Sequence, residues 1–391
     1  MNALSFEGDL GDGALLAFAS MTSKALAAHR KGQNGKMMRR ILLPAVAVLA
    51  AAALTVSGCA TPAATGQAGD SETLVVYSNS VSDGRGDWLK QEAKQAGFTL
   101  QFFDLGGGDI KNRLVAEKAS PIADVTFGLN NVYFQKLKEA QVLDSYTPAW
   151  SGAVDASLGD PVDKQFWPIV REPVMLVYNK AAYPSADQAP SDWPDLWTKD
   201  QFKKKYEVSN ALGGATAQMV LAGILSRYRD DSGDLGVSQA GWDAVKAYYA
   251  NGVPSVTGTD LYAQMAAGKI NSGQMWLAGK ATREQQYKVQ TEAAHPQVGV
   301  PMVVQQVALV KGTKKADTAK RFIDWFGSAD VQAAWSQKFF TAPTNKDALS
   351  KAQPEAVAVT ESFAKQDIDW SFVTKNLDSW IEKVELEYLA G

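Results

Sequence analysis

Cysteine and histidine are almost missing from this chain. Of its 391 residues one is cysteine and two are histidine. Beyond Cys59 there is no thiol, so disulfides, thiolate metal centres and cysteine nucleophiles are excluded from the body of the protein. A histidine triad or zinc site would have only His295 to draw on, because His29 lies far upstream. His295 sits in Ala294-His295-Pro296, a loop-like setting that suits an exposed residue better than a catalytic base. Net positive charge is missing too: the formal charge is −3, so no global basic field favours nucleic acid, and none is expected as a partner. There is no nucleophile elbow, metal-binding helix motif or phosphate-loop lysine motif. The run Asp230, Asp231, Ser232, Gly233, Asp234 is the one dense carboxylate group, and its residue types read as a solvated turn rather than a calcium or acid/base site. No catalytic residue, cofactor or metal site is expected, and a secreted hydrolase is the competing reading from another class.

Long apolar runs are scarce as well. The one that exists, Ile41 to Val56, follows the basic stretch Met37 to Arg40 and precedes Ser57, Gly58 and Cys59. A positive segment, an apolar segment and small residues before a cut describe an export signal, here residues 37–58. About 18 apolar, alanine-rich residues reach only the lower limit for crossing a bilayer. Val56-Ser57-Gly58-Cys59 is similar to a bacterial lipobox, which implies that Cys59 is lipidated and becomes the mature N-terminus. Residues 1–36 carry Glu7, Asp9 and Asp12 ahead of the basic stretch, which export signals avoid; they are expected to be a non-native upstream extension, with translation starting at Met37 or Met38. Residues 59–72, small and polar, read as a flexible tether reaching roughly 20 Å. The protein is thus expected to be exported and lipid-anchored to the outer face of the cell membrane.

The remaining part is a folding sequence. The whole chain carries 46% apolar residues and 11 tryptophans, enough for a sizeable core in two domains or one large one. Strand-like Thr73 to Tyr77, Phe98 to Phe103 and Ala123 to Phe127 alternate with helix-like Asp87 to Ala96, Asp109 to Ala119 and Val132 to Ala140. That alternation predicts a parallel, doubly wound sheet. A second α/β pattern follows, with strands at Pro173 to Tyr178, Tyr206 to Ser209 and Ile270 to Leu277. Its helices open near Gly213, Gln239 and Asp260. Extended segments at 298–302 and 307–310 lead back to helices near Asp317 to Phe326 and Val331 to Lys338. A middle domain entered and left by two extended crossings predicts two lobes with a hinged cleft: lobe 1 from 73–172 and 303–391, lobe 2 from 173–302.

The loops after the first three strands hold Ser78, Asn79 and Ser80; Gly106, Gly107 and Gly108; and Gly128 to Asn131. Ligands of open α/β sheets bind beyond the carboxyl ends of strands, and a glycine turn opening a helix offers backbone N–H groups to an anion. Single turns need the same residues, but three in one sheet point to a shared site. From the other lobe, Gly213, Gly214 and Thr216 open another helix.

These residues resemble the extracytoplasmic solute-binding proteins of ABC importers, in the group that takes ferric iron, thiamine, aminoethylphosphonate or sugar phosphates. The likeness covers about residues 73–345. It rests on Leu74 to Asn79, Gly106 to Glu117, Ala123 to Gly128, Val174 to Asn179, Trp193 to Trp197 and Ala342 to Asn345, whose order and spacing are more specific than any one of them. The resemblance implies a type II periplasmic-binding-protein fold, α/β, each lobe a mainly parallel sheet with flanking helices and the ligand cleft between lobes. It also implies a monomer that hands a small solute to permease subunits in the membrane. The iron-binding branch of that group carries adjacent tyrosines just after the strand matching Ile270 to Leu277. Here the stretch reads Met275-Trp276-Leu277-Ala278, with no tyrosine between Tyr262 and Tyr287, which argues against iron. Tyr248 and Tyr249 fall in an apolar helix pattern and read as core.

On the residues themselves, the expected ligand contacts are Ser78, Asn79, Ser80, Gly107, Gly108 and Asn130 from lobe 1 and Gly213, Gly214 and Thr216 from lobe 2. Arg171 either grips an oxyanion or makes a hinge ion pair. Trp276 either stacks on a ligand face or belongs to the core. Asp124, at a strand position, reads as an internal hydrogen-bond partner. The favoured ligand is a small phosphorylated or phosphonate-bearing solute, with a thiamine-like cation second and iron third.

Overall fold

The computed structural model describes residues 72–389. The upstream extension, the signal segment, Cys59 and all but the end of the tether lie outside the described residues. Among the described residues no helix is long and apolar enough to cross a membrane.

Lobe 1 begins with β1 (Leu74–Ser78), α1 (Arg85–Gln95), β2 (Leu100–Asp104), α2 (Gly107–Ala116), β3 (Val125–Asn130), α3 (Asn131–Glu139) and the short β4 (Leu143–Asp144). β1 pairs in parallel with β2 and β3, as alternating strands and helices require. Then comes the long crossing strand β5 (Trp167–Asn179). Lobe 2 follows: α4 (Asp195–Thr198), β6 (Glu207–Val208), α5 (Ala215–Leu225), β7 (Arg229–Asp234), α6 (Gln239–Asn251), β8 (Val253–Pro254), α7 (Leu261–Ala266), β9 (Ser272–Trp276), α8 (Leu277–Tyr287) and β10 (Thr291–Ala293). The return crossing is β11 (Met302–Val310), followed by α9 (Ala316–Phe326), α10 (Ala329–Phe339), β12 (Ala342–Pro343), α11 (Pro354–Ser362) and α12 (Trp370–Glu387).

The two crossings are antiparallel neighbours, paired from Met302 opposite Pro173 to Val307 opposite Trp167, with a register shift between Gln305 and Gln306. The first half of β5 serves lobe 1; from Val174 onward it takes β9 and β10 as antiparallel partners. Pro173 stands where one set of partners gives way to the other, a position at which a missing N–H costs least. Lobe 2 therefore combines antiparallel pairs on β5 with the parallel pair β6–β8.

Each lobe has its own core. In α9, Ala319, Phe322, Ile323 and Phe326 repeat at three- and four-residue spacing and are buried against Val125 and Phe127 of β3. Each such phenylalanine contributes roughly 1.5–3 kcal/mol by leaving water. Tyr248 and Tyr249 are buried beside Trp193, Trp242 and Tyr206 in lobe 2. The carboxylate run of 230–234 is a mostly exposed hairpin strand. Asp124 accepts hydrogen bonds from Val75 N–H (2.8 Å) and from the Lys315 ammonium (3.2 Å) and Thr313 hydroxyl, joining strand ends inside lobe 1. His295 is exposed and stacks on Phe363 at 4.4 Å.

The tail departs from the simple grouping of 303–391 with lobe 1. Val373, Leu377, Trp380 and Val384 of α12 share the core cluster of Leu176, Val220 and Trp242, and the Trp380 indole donates to Leu235 O at 3.0 Å. The same helix reaches lobe 1 through Asp378, which pairs with Lys136 of α3 at 2.6 Å. Apolar spacing in α12 shows that one face is buried but not against which lobe.

Candidate functional site: an interlobe cleft

A cavity of about 690 Å³ opens between the lobes, floored by the crossings at Glu172, Val174, Val303 and Gln305. Lobe 1 lines it with Asn79, Ser80, Gly107 and Asn130 among the expected residues, and lobe 2 with Gly213, Gly214, Thr216 and Trp276.

Three expected residues lie elsewhere. Ser78 is fully buried behind the loop, where its hydroxyl accepts from Ser80 N–H at 3.0 Å and so shapes the loop without facing the cleft. Gly108 lines a neighbouring groove with α12 residues Asp378 and Glu385. Arg171 is ion-paired with Glu361 and lines a smaller cavity with Met302 and Lys365. Side chains alternate along a strand, so the face that Arg171 turns away from the cleft leaves Glu172 turned into it.

Backbone N–H groups reach the cleft from both sides. Helices α2 and α5 open at Gly106 and Gly214, and neither N-cap residue has a side chain to satisfy the first amides. The two turns approach each other: a Cβ placed on Gly106 would lie 3.8 Å from the Gly213 carbonyl oxygen. By contrast, α3 is capped by Asn130, whose Oδ1 accepts from Tyr133 N–H at 3.2 Å while its amide faces Met219. Asn130 is thus a wall of the cleft with its side chain already committed.

Arg85, unforeseen from the sequence, lines the cleft half-buried. Its guanidinium lies over the Phe339 ring at 5.7 Å and makes no hydrogen bond or close ion pair among the described residues. A polar chain crosses the floor. Ser80 Oγ donates to Gln305 Oε1 (3.1 Å), Gln305 Nε2 donates to Glu172 Oε2 (3.2 Å), and Glu172 Oε1 accepts the Ala278 N–H at the start of α8 (2.9 Å). Burial pushes the Glu172 carboxyl above its ordinary range, opposed by the charge of Arg85 and the two donors. Ser209 and Gln274 add a linked pair at 2.7 Å on the lobe 2 wall. Trp276 faces the cleft from under the Arg283 guanidinium, 4.7 Å from its ring, and packs against Gly279. Among the described residues no cluster of histidine, cysteine, aspartate or glutamate could hold a metal ion.

Two lobes joined by paired crossing strands, with a polar cleft at the joint, define a solute receptor. The chain belongs to the family described as bacterial extracellular solute-binding protein, which it matches over residues 88–361. It is 34% identical over 318 residues to a Sinorhizobium fredii protein named "Probable ABC transporter periplasmic-binding protein y4fP", covering 81% of this chain and 86% of that one. It is 23% identical to a Salmonella paratyphi A periplasmic protein named for 2-aminoethylphosphonate binding, covering 79% and 90%. Among solved structures, AfuA from Actinobacillus pleuropneumoniae with fructose-6-phosphate bound has a TM-score of 0.66 at 20% identity, covering 82% of this chain and all of that one. A ferric binding protein from Campylobacter jejuni scores 0.67 at 18% (81% and 99%), and a periplasmic thiamin binding protein 0.65 at 19% (82% and 97%). These likenesses establish the type II periplasmic-binding fold. The protein is the substrate-binding component of an ABC transporter, a role that implies a small-molecule ligand and permease partners.

Proposed function

We propose that this receptor captures a small solute bearing a phosphate or phosphonate group, closes its lobes on it and delivers it to the permease. The observation that carries this reading is the meeting, in one cleft, of two uncapped helix N-termini from opposite lobes with an arginine that makes no close ion pair among the described residues. Each helix end supplies amides and the positive end of its dipole, and Arg85 supplies a planar fork of donors matched to an oxyanion. The hydroxyls of Ser80, Ser209 and Thr216 and the Asn79 amide complete a set of donors around it. Thiamine is the second reading, favoured by Trp276 in the cleft wall; Arg283 and Gly279 already occupy ring surface there, which ranks it lower. The donor set lacks the phenolates that ferric iron favours.

The anchoring reading belongs here too: Cys59 carries lipid, the body is tethered outside the membrane by residues 59–72, and the receptor works as a monomer. Replacing Cys59 with alanine should release the protein from membranes.

The test is a thermal-shift and calorimetric screen of the purified full chain against 2-aminoethylphosphonate, sugar phosphates, thiamine and ferric citrate. A ligand present at about a hundred times its dissociation constant should stabilise by about 2.7 kcal/mol. Saturable stabilisation by phosphonates or phosphates supports the reading. Stabilisation by thiamine or iron alone overturns it.

A further inference from the structure

The glycine turns that open α2 and α5 share a support that lies behind the cleft. Tyr133, in the first turn of α3, belongs to the lobe 1 core with Ile110 of α2. Its ring is the surface on which the α2 turn rests: a Cβ on Gly107 would lie 2.9 Å from Tyr133 Cε2, and one on Gly108 3.6 Å from the hydroxyl. That hydroxyl crosses to lobe 2, where it donates to Gln218 Oε1 of α5 at 2.7 Å. Gln218 Nε2 in turn donates to the Leu212 carbonyl at 2.7 Å, just ahead of Gly213. The Leu212 N–H is taken by Glu385 Oε1 of α12 at 2.9 Å, so side chains hold both backbone groups of this residue. Tyr133, Gln218 and Leu212 are all buried. A carbonyl can only accept, which fixes the Gln218 amide with its nitrogen toward the α5 turn and its oxygen toward lobe 1. Burial pushes the Tyr133 phenol up to about 12, which keeps it a neutral donor. Neither Tyr133 nor Gln218 lines the interlobe cavity; both line the neighbouring groove on the far side of the turns.

Resting on the reading above that both turns hold the solute, we propose that Tyr133 and Gln218 are positioning residues. Their one buried bond, outside the cavity, fixes the α2 turn of lobe 1 and the α5 turn of lobe 2 relative to each other. Amides held at a set spacing lose little freedom when a solute arrives, whereas turns that adjust independently must first be ordered, at a cost in affinity. The bond is also the route by which a disturbance of one turn reaches the other, although they stand on different lobes.

Hydrogen–deuterium exchange of the full chain without any solute tests the coupling. Tyr133→Phe keeps the ring on Gly107 and deletes only the hydroxyl. Peptides of lobe 2 carrying the bonded amides of Leu212 and Gln218 should then exchange about 2- to 10-fold faster, as expected for the loss of one hydrogen bond. Gln218→Met should do the same to the Ile110 amide of lobe 1, and adding Tyr133→Phe to it should change nothing further. Faster exchange confined to the substituted lobe overturns the coupling. The same variants are titrated with 2-aminoethylphosphonate and with fructose 6-phosphate. For whichever compound the unaltered chain binds, the dissociation constant should rise about 2- to 10-fold. Coupled exchange with unchanged affinity overturns the positioning role and leaves the oxyanion reading standing. Failure of the unaltered chain to bind either compound overturns the oxyanion reading, and the positioning role with it.

Discussion

Arg85→Ala separates binding from folding. Arg85 is the first residue of α1, where a cation faces the positive end of the helix dipole, a placement that costs about 0.3–1 kcal/mol. Its one aromatic contact, the Phe339 ring at 5.7 Å, returns about 0.5–1 kcal/mol. These terms nearly cancel, and the remaining cost is loss of the charge that Arg85 sets against the buried Glu172 carboxyl, so truncation should lower stability by about 1 kcal/mol, moving the melting temperature down by about 2–4 °C. Binding should respond far more. Removing a charged donor from an oxyanion costs about 1.5–3 kcal/mol, or roughly 10- to 150-fold in dissociation constant. Arg85→Lys keeps the charge, loses the bidentate fork and should fall between. Calorimetric titration with 2-aminoethylphosphonate at low salt, paired with differential scanning calorimetry, reads both quantities. An unchanged dissociation constant in Arg85→Ala, or a melting temperature that collapses, would refute the reasoning, because the arginine would then be outside the site or holding the fold.

Gly128→Ala should cost about 2–4 kcal/mol in urea unfolding, combining left-handed backbone strain with overpacking. Its φ is 93°, and a Cβ would meet Ser80 Oγ at 2.5 Å; a loss below about 0.5 kcal/mol would show that the loop yields freely. Arg171→Ala should leave solute affinity within about twofold and cost under about 1 kcal/mol, because its partner Glu361 is exposed; a tenfold loss of affinity would return it to the site. Glu207→Gln should flatten the pH dependence of stability. Burial, then the charge of Asp260, pushes the Glu207 carboxyl up to about 7. The folded state thus binds this proton more tightly than the unfolded state, and stability falls as pH rises from about 4.5 through about 7. Unfolding of the unaltered protein at pH 5 and pH 8 should show this fall, and an equal slope in the variant would exclude Glu207 as its source.

Elements with strong local pattern were legible in the sequence. β1, β2 and β3, the glycine turns before α2 and α5, and α9 all follow from periodicity and turn chemistry. The full length of β5 was not: Trp167 to Glu172 includes Pro168, which argues against a strand until its partners are known. Without that segment no strand phase tells Arg171 from Glu172, and side-chain chemistry alone points to the arginine. Arg85 was hidden for another reason. It opens α1 after Asp83 and Gly84, both in the left-handed region, so its aim is set by a turn and not by a repeat. Gln305 and Gln274 reach the cleft from strands whose register is a long-range fact. α12 showed a buried face without showing which lobe buries it.

Closure itself is where the oxyanion reading meets the fold. Among the described residues the polar contacts between lobes include Tyr133 Oη donating to Gln218 Oε1 at 2.7 Å, the Asn130 amide on Met219 Sδ, Lys136 paired with Asp378 on α12, and Arg283 lying 3.9 Å from Asp83. Each is worth roughly 1 kcal/mol net, and the exposed pairs less. The crossings that must flex carry a register shift beside Gln305, the residue that ties Ser80 of lobe 1 to Glu172 on the floor. The α2 and α5 ends, by contrast, both line the cleft with no side-chain caps, so bringing them together opposes two positive helix ends. An oxyanion placed between them removes that repulsion and supplies acceptors to both lobes at once, which it can do only when the cleft is shut. That difference in interaction between the two states is the free energy by which a ligand shifts the population toward closure. On the proposed reading, the missing caps leave the solute, not the protein, to complete the closed form.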